Sequence, residues 1–113
     1  MRVERRNGGP GVAILDLFGN LLAEEDRKEV LKAVFAEDKT AQLIVLNFHD
    51  VLNINGKAIE LLREAQLSLT ARMALVDVSA RLRTRFEQRL QAGSFEKFFL
   101  VYQTEKEVRP QAR

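Results

Sequence analysis

Four apolar runs, beginning at Val12, Leu43, Met73 and Phe98, recur along the chain with room for one strand and one helix between successive starts. Parallel neighbours in a sheet need a helix-length return, and such crossovers are right-handed, so this recurrence constrains the chain to βα units laid side by side. The fold class it predicts is α/β: a mixed, mainly parallel sheet of four to five strands with about four helices. No segment repeats in sequence; what repeats is the unit.

The individual elements follow from periodicity. Val12 to Phe18 (VAILDLF) is almost continuously apolar, with Asp16 the one interruption, and Gly19 and Asn20 are read as its end. Ahead of it, Val3 to Arg6 suits a short edge strand. The Asn7 to Gly11 cluster between them is a turn, because its glycines supply positive φ and its proline cannot donate to a ladder. Leu43 to Phe48 (LIVLNF) is apolar on both alternating sets, which marks the central strand. Met73 to Val78 and Phe98 to Tyr102 complete the set. Between them, Glu24 to Glu37 carries Val30, Leu31, Val34 and Phe35 on one helical face, with Glu24, Glu25 and Asp26 in the first turn, where the helix dipole favours negative charge. A second helix presents Ile59, Leu62 and Leu69 on one stripe, beside Leu61 and Ala65. A third presents Leu82, Phe86 and Leu90, capped by Ser79 at its start and by Gly93 at its end. Glu105 to Arg109 suits a last helical turn before Pro110.

With 113 residues the chain suits one domain, residues 1–113, with a core from 12 to 108 and a flexible tail at 109–113. Its 46% apolar and 30% charged content is that of a folded rather than a disordered chain. The absence of cysteine excludes disulfides, thiolate metal sites and cysteine nucleophiles, and makes a cytoplasmic location the expectation. MRVERRNGGPG lacks the apolar stretch of a signal peptide, and no apolar run approaches the roughly 20 residues of a membrane span. A net charge of +2 from 18 basic and 16 acidic residues gives little reason to expect a nucleic acid partner.

Function in open α/β sheets usually gathers at the carboxyl ends of strands, which directs attention to Asn47 to Lys57, read as a loop between the central strand and the second helix. His49 is the single histidine and has no Ser or Cys beside it for nucleophilic pairing. Asp16, Asp50 and Asp77 lie in or just after strands, where converging carboxylates would hold a cation, but isolated Asp in turns more often bonds its own backbone. The glycines of Asn7 to Gly11 precede a strand and do not form a phosphate loop. Arg81, Arg85 and Arg89 align by i+4 spacing on the third helix, with Arg83 also present: either a solvated face or a docking surface for an acidic partner. No catalytic constellation, metal site or cofactor site emerges.

Four segments taken together resemble the STAS domain of bacterial anti-sigma-factor antagonists: DLFGNLL from Asp16 to Leu22, VLNFHDVLNINGKAIELL from Val45 to Leu62, ARMALVDVSARLR from Ala71 to Arg83 and FFLVYQTEKEV from Phe98 to Val108. The resemblance runs in order from Val12 to Val108 without large gaps. It implies a STAS-like fold and a non-catalytic, bacterial signalling protein of transcription regulation that binds an anti-sigma factor, a serine-kinase-like protein or another regulator. Partner-binding residues would be Asn47, His49, Asp50, Asn53, Asn55, Gly56, Lys57 and Glu60, in the 47–57 loop and the second helix. In similar antagonists a Ser at the start of that helix is phosphorylated. Matching on Val51, Ile54 and Leu62 sets Asn55 at the family's Asp, Gly56 at the phosphorylated Ser, Lys57 at the next Ser and Ala58 at the Gly. Keeping the family's glycine at Gly56 instead sets Ile54 at the Ser. Neither supplies a hydroxyl, and Phe48 to Leu67 contains no Ser, Thr or Tyr. The resemblance therefore implies partner binding without the usual switch. Its alternative is an accessory or scaffold subunit of a stressosome-like assembly or a membrane transporter, and association as a homodimer stays open.

Overall fold

A computed structural model describes residues 1–90 and 95–108. Five strands form one sheet: β1 (Arg2–Asn7), β2 (Val12–Leu21), β3 (Leu43–Ile54), β4 (Arg72–Val76) and β5 (Leu100–Tyr102). Three helices of ordinary length connect them, α1 (Glu24–Glu37), α2 (Gly56–Ser68) and α3 (Ala80–Leu90). A single turn, α4 (Phe95–Phe98), precedes β5, and a 3-10 turn at Glu105–Glu107 follows it. Among the described residues, then, three long helices and one short turn stand where about four helices were expected.

The strands lie side by side in chain order, β1 antiparallel to β2 and every later pair parallel. Right-handed crossovers between successive neighbours put α1, α2 and α3 on the same face. The main core forms there, from Leu15, Leu17, Ile44, Leu46, Phe48, Met73 and Leu75 of the sheet and Val30, Val34, Ile59, Leu62, Leu82 and Phe86 of the helices. The opposite face carries a second apolar cluster, Val12, Ile14, Leu43, Val45, Ala74 and Val76. Leu100 and Tyr102 of β5 extend it, and Val108 packs on it as the chain turns back across the sheet after β5. Leu43 to Leu46 are buried on both faces, as a central strand requires. Among the described residues no helix is long and apolar enough to cross a membrane.

The turn between β1 and β2 is where it was expected: Gly9 and Gly11 take φ of +112° and +74°, and the Asn7 side chain accepts from the Gly9 N–H at 2.9 Å. α1 has the predicted limits, and Ser79 Oγ accepts from Leu82 N–H at 3.2 Å as the predicted cap of α3. Gly93 and the tail at 109–113 lie outside the described residues.

Strand boundaries are corrected in three places. β4 stops at Val76 rather than Val78, because Asp77 turns to φ +54°, a left-handed conformation that Asp tolerates and a strand does not. β5 begins at Leu100 rather than Phe98: Phe95 and Phe99 are both buried against Phe86, and this i, i+4 spacing favours a helical turn over strand alternation.

The third correction is the largest. Residues 47–54 are not loop but strand: β3 continues to Ile54, and β2 accompanies it to Leu21 instead of ending at Phe18. The ladder survives through two irregularities. Asp16 to Phe18 spans the same stretch as Asn47 to Asp50, and Gly19 to Leu21 the same as Val51 to Ile54, so β3 carries an extra residue each time. Its core-facing residues accordingly pass from every second position (Ile44, Leu46, Phe48) to every third (Val51, Ile54). A period of three matches neither strand nor helix, which is why the sequence reads as a turn there. Gly19, at φ +116°, accommodates the distortion on β2.

Candidate functional site

β4 pairs with β3 only as far as Val76 opposite Asn47, whereas β2 follows β3 to Ile54. Phe48 to Ile54 therefore overhang the end of β4 as one strand of a two-stranded ribbon. The overhang is anchored at both ends. At its base Phe48 is buried in edge-to-face contact with Phe86 of α3, ring centroids 6.0 Å apart. At its tip Asn55 closes the chain into α2: its Oδ1 accepts from Ala58 N–H at 3.0 Å, and its Nδ2 donates to the Leu22 carbonyl at 2.8 Å. One side chain thus caps α2 and fastens the cap to the end of β2.

The eight residues singled out from the sequence divide into two sets. His49, Asp50 and Lys57 are exposed along the overhang and the first turn of α2. The other five are half-buried. Asn47 points to the opposite face, where its Nδ2 donates to Glu105 Oε2 at 2.8 Å and its Oδ1 accepts from His49 N–H at 2.8 Å. Asn53 is half-buried, Asn55 is the cap, and Glu60 is ion-paired to Arg89. Gly56 is the first residue of α2, and a Cβ built on it would meet the Arg89 side chain at 3.2 Å. Ile54, the other candidate for the switch position, is fully buried at the end of β3.

Leu52 was missed. It is 74% exposed, although it sits in a strand whose neighbours Val51 and Ile54 are buried. Of the four exposed large apolar residues among the described residues, Leu52 and Leu22 both belong to this corner; Phe35 and Leu67 are the others. The sequence signal was present as an apolar residue among polar neighbours in HDVLNIN, but it was absorbed by the reading of the segment as a turn.

Leu52 also lines a groove of about 440 Å³ between the overhang and the β4–α3 connection, together with Phe48, His49, Val51, Asp77, Val78, Ser79, Arg81 and Gln103. This is the crevice at the carboxyl end of β4. A smaller hollow of about 240 Å³ lies between α2 and α3, lined by Ile54, Gly56, Ile59, Arg85, Gln88 and Arg89.

The carboxylates Asp16, Asp50 and Asp77 do not converge, and no group of three metal-ligating side chains occurs among the described residues. Asp16 is bound by Arg6, whose Nη2 reaches its Oδ1 at 2.8 Å and which also pairs with Glu105. The hydrogen bonds that Arg6 donates, to Asp16 first and then to Glu105, raise its guanidinium above the ordinary range. At the start of α1, the Met1 ammonium and the Ala23 N–H hold the Asp26 carboxylate below its ordinary range. Both networks secure elements to one another, and neither lies on the overhang.

No family model and no curated protein matches the sequence. Solved structures do match the fold. A STAS domain protein from Planctomyces limnophilus is similar with a TM-score of 0.73 and 17% identity, over 93% of this chain and 92% of that one. SpoIIAA, an anti-sigma factor antagonist and Bacillus cell fate determinant, is similar in its unphosphorylated form with a TM-score of 0.68 and 13% identity, over 93% of this chain and 91% of its own. The murine Solute Carrier 26 family member A9 anion transporter, in its inward-facing state, matches with a TM-score of 0.64 and 17% identity over 84% of this chain, which corresponds to 16% of the transporter. The strand order, the one-sided helices and these likenesses agree with the resemblance read from sequence: the chain has the STAS fold.

Proposed function

We propose that this protein is a non-catalytic regulator that binds a protein partner through the β3 overhang and the first turn of α2. The observation that carries the reading is Leu52, an apolar side chain 74% exposed on an anchored strand beside a groove. Isolated exposed leucines are common, but this one stands on a corner fixed by Phe48 and Asn55, so little ordering entropy opposes its burial by a partner. SpoIIAA, similar in fold, is an anti-sigma factor antagonist, and an anti-sigma factor or a serine-kinase-like regulator is the partner class proposed here. The start of α2 lacks a hydroxyl, so binding proceeds without a phosphate switch at Gly56.

Titration calorimetry against an anti-sigma kinase from the same organism tests this. Equal affinity with and without ATP is expected, and Leu52→Asp should weaken binding by about tenfold or more, which corresponds to about 1.4 kcal/mol. Phosphate incorporated at any residue from 47 to 57 would contradict the reading.

The likeness to an anion transporter supports a second reading, an accessory domain of a membrane transporter or of a stressosome-like assembly. Co-purification separates the two, because a large oligomer or transporter subunits retained with the protein would replace the sigma-factor circuit.

A further inference from the structure

The third helix carries four arginines, and the structure separates them. Arg83 is consumed internally: it pairs with Glu96 and Glu87, and its guanidinium lies 5.3 Å from the centre of the Phe95 ring. Arg89 is paired with Glu60 of α2. Arg81 and Arg85, one turn apart on an exposed face, make no ion pair among the described residues. Each borders a concavity at the corner described above, Arg81 the groove that Leu52 lines and Arg85 the hollow beside Gly56. Exposed Lys57 adds a third unpaired cation there among the described residues.

We propose that these cations select the partner: the corner binds an acidic protein segment in which an apolar side chain covers Leu52 while neighbouring carboxylates engage Arg81 and Arg85. This rests on the reading of the overhang as a binding edge and adds the chemistry of what binds. The argument is one of complementarity. A guanidinium presents a planar fork of N–H donors that matches a carboxylate in two-point contact, and Arg is among the residue types enriched at energetically dominant interface positions. Asp77 lines the same groove and is not ion-paired with Arg81, so it sets a limit on charge: a segment with acidic residues throughout would meet repulsion at the β4 end. A mixed segment, apolar toward the groove and acidic toward α3, fits both. An anionic membrane fits less well. The cations border concave surfaces rather than a plane, Glu60 offsets Arg89, and Leu52 is a single apolar residue where interfacial binding uses a broad apolar face.

The test is selection of randomised peptides by phage display on the whole protein, followed by fluorescence anisotropy with the enriched sequences. Enriched peptides should place Asp or Glu beside Leu, Ile or Phe. Their affinity should fall at least tenfold in the double variant Arg81→Glu/Arg85→Glu, fall less in Arg81→Gln/Arg85→Gln, and weaken with added salt. A control of equal charge change away from the corner, Lys32→Glu on α1 with Lys39→Glu in the turn just after it, should leave binding within about twofold. Selection without acidic enrichment, or equal loss in the control, overturns the proposal. So does binding to phosphatidylserine vesicles that the arginine variants abolish when no acidic peptide is enriched. If Leu52→Asp abolishes peptide binding and the arginine variants do not, the overhang remains a binding edge and only the acidic selectivity fails. If neither affects binding, both readings fail. The four replaced cations are exposed, and unchanged circular dichroism melting is the check that each variant is folded.

Discussion

Asn55 joins three pieces of structure with one side chain. Its Oδ1 satisfies the Ala58 N–H and its Nδ2 satisfies the Leu22 carbonyl, so α2, the overhang and the end of β2 meet at a single amide. Asn55→Ala should destabilise the fold by about 0.5–2 kcal/mol, the range for loss of a capping side chain, measured by urea unfolding. Asn55→Asp keeps the acceptor for Ala58 but turns a second oxygen toward the Leu22 carbonyl, so an intermediate loss is expected. Equal losses in the two variants would mean that the bond to Leu22, not the cap, carries the stability. An Asn just before a helix is legible in a sequence as a cap, because it offers a short acceptor to the first-turn amides. The bond to Leu22 is not, since it joins residues 33 positions apart.

At the level of elements, α3 is held to the sheet largely by aromatic contacts around Phe86. Its ring stacks on Phe95 at 4.8 Å and meets Phe48 and Phe99 edge-on at 6.0 and 6.1 Å. Phe86→Ala should cost about 3–5 kcal/mol, a large share of the roughly 5–15 kcal/mol that holds a domain together, with Phe86→Leu less damaging. Thermal and chemical unfolding check this, and a loss below about 1 kcal/mol would show that the cluster does not carry α3. The i+4 stripe Leu82, Phe86, Leu90 marked the helix and its buried face. What the stripe does not encode is its target. Phe86 touches the base of the overhang, so a variant here should also loosen the proposed binding edge. Strand β3 shows the opposite limit. Its first half was legible because burial on both faces leaves a continuous apolar run. Its second half was hidden because two extra residues shifted the pattern out of the strand period.

Across the whole molecule, one-sided helices leave the second face of the sheet to be covered by the chain after β5. Val108 packs on its apolar cluster, and Glu105 fastens the 3-10 turn to Arg6 of β1 and Asn47 of β3. The ion pair to Arg6 is substantially exposed to solvent, so it is worth little in global stability, and a glutamine at 105 could still accept from Asn47. Glu105→Gln should therefore change global unfolding by less than about 1 kcal/mol while speeding hydrogen exchange at Glu107 and Val108, whose N–H groups bond within the turn. Unchanged exchange would show that Val108 alone holds the segment in place. By itself the sequence determined the βα recurrence, the parallel sheet, the limits of α1 and the absence of a hydroxyl at the start of α2. All of these follow from local periodicity and residue chemistry. Only the tertiary structure decided that Leu52 stands exposed, that Asn47 turns to the far face, and that among the described residues Arg81 and Arg85 make no ion pair while Arg83 and Arg89 do. Exposure and pairing depend on which distant elements arrive beside a residue, and no local pattern carries that.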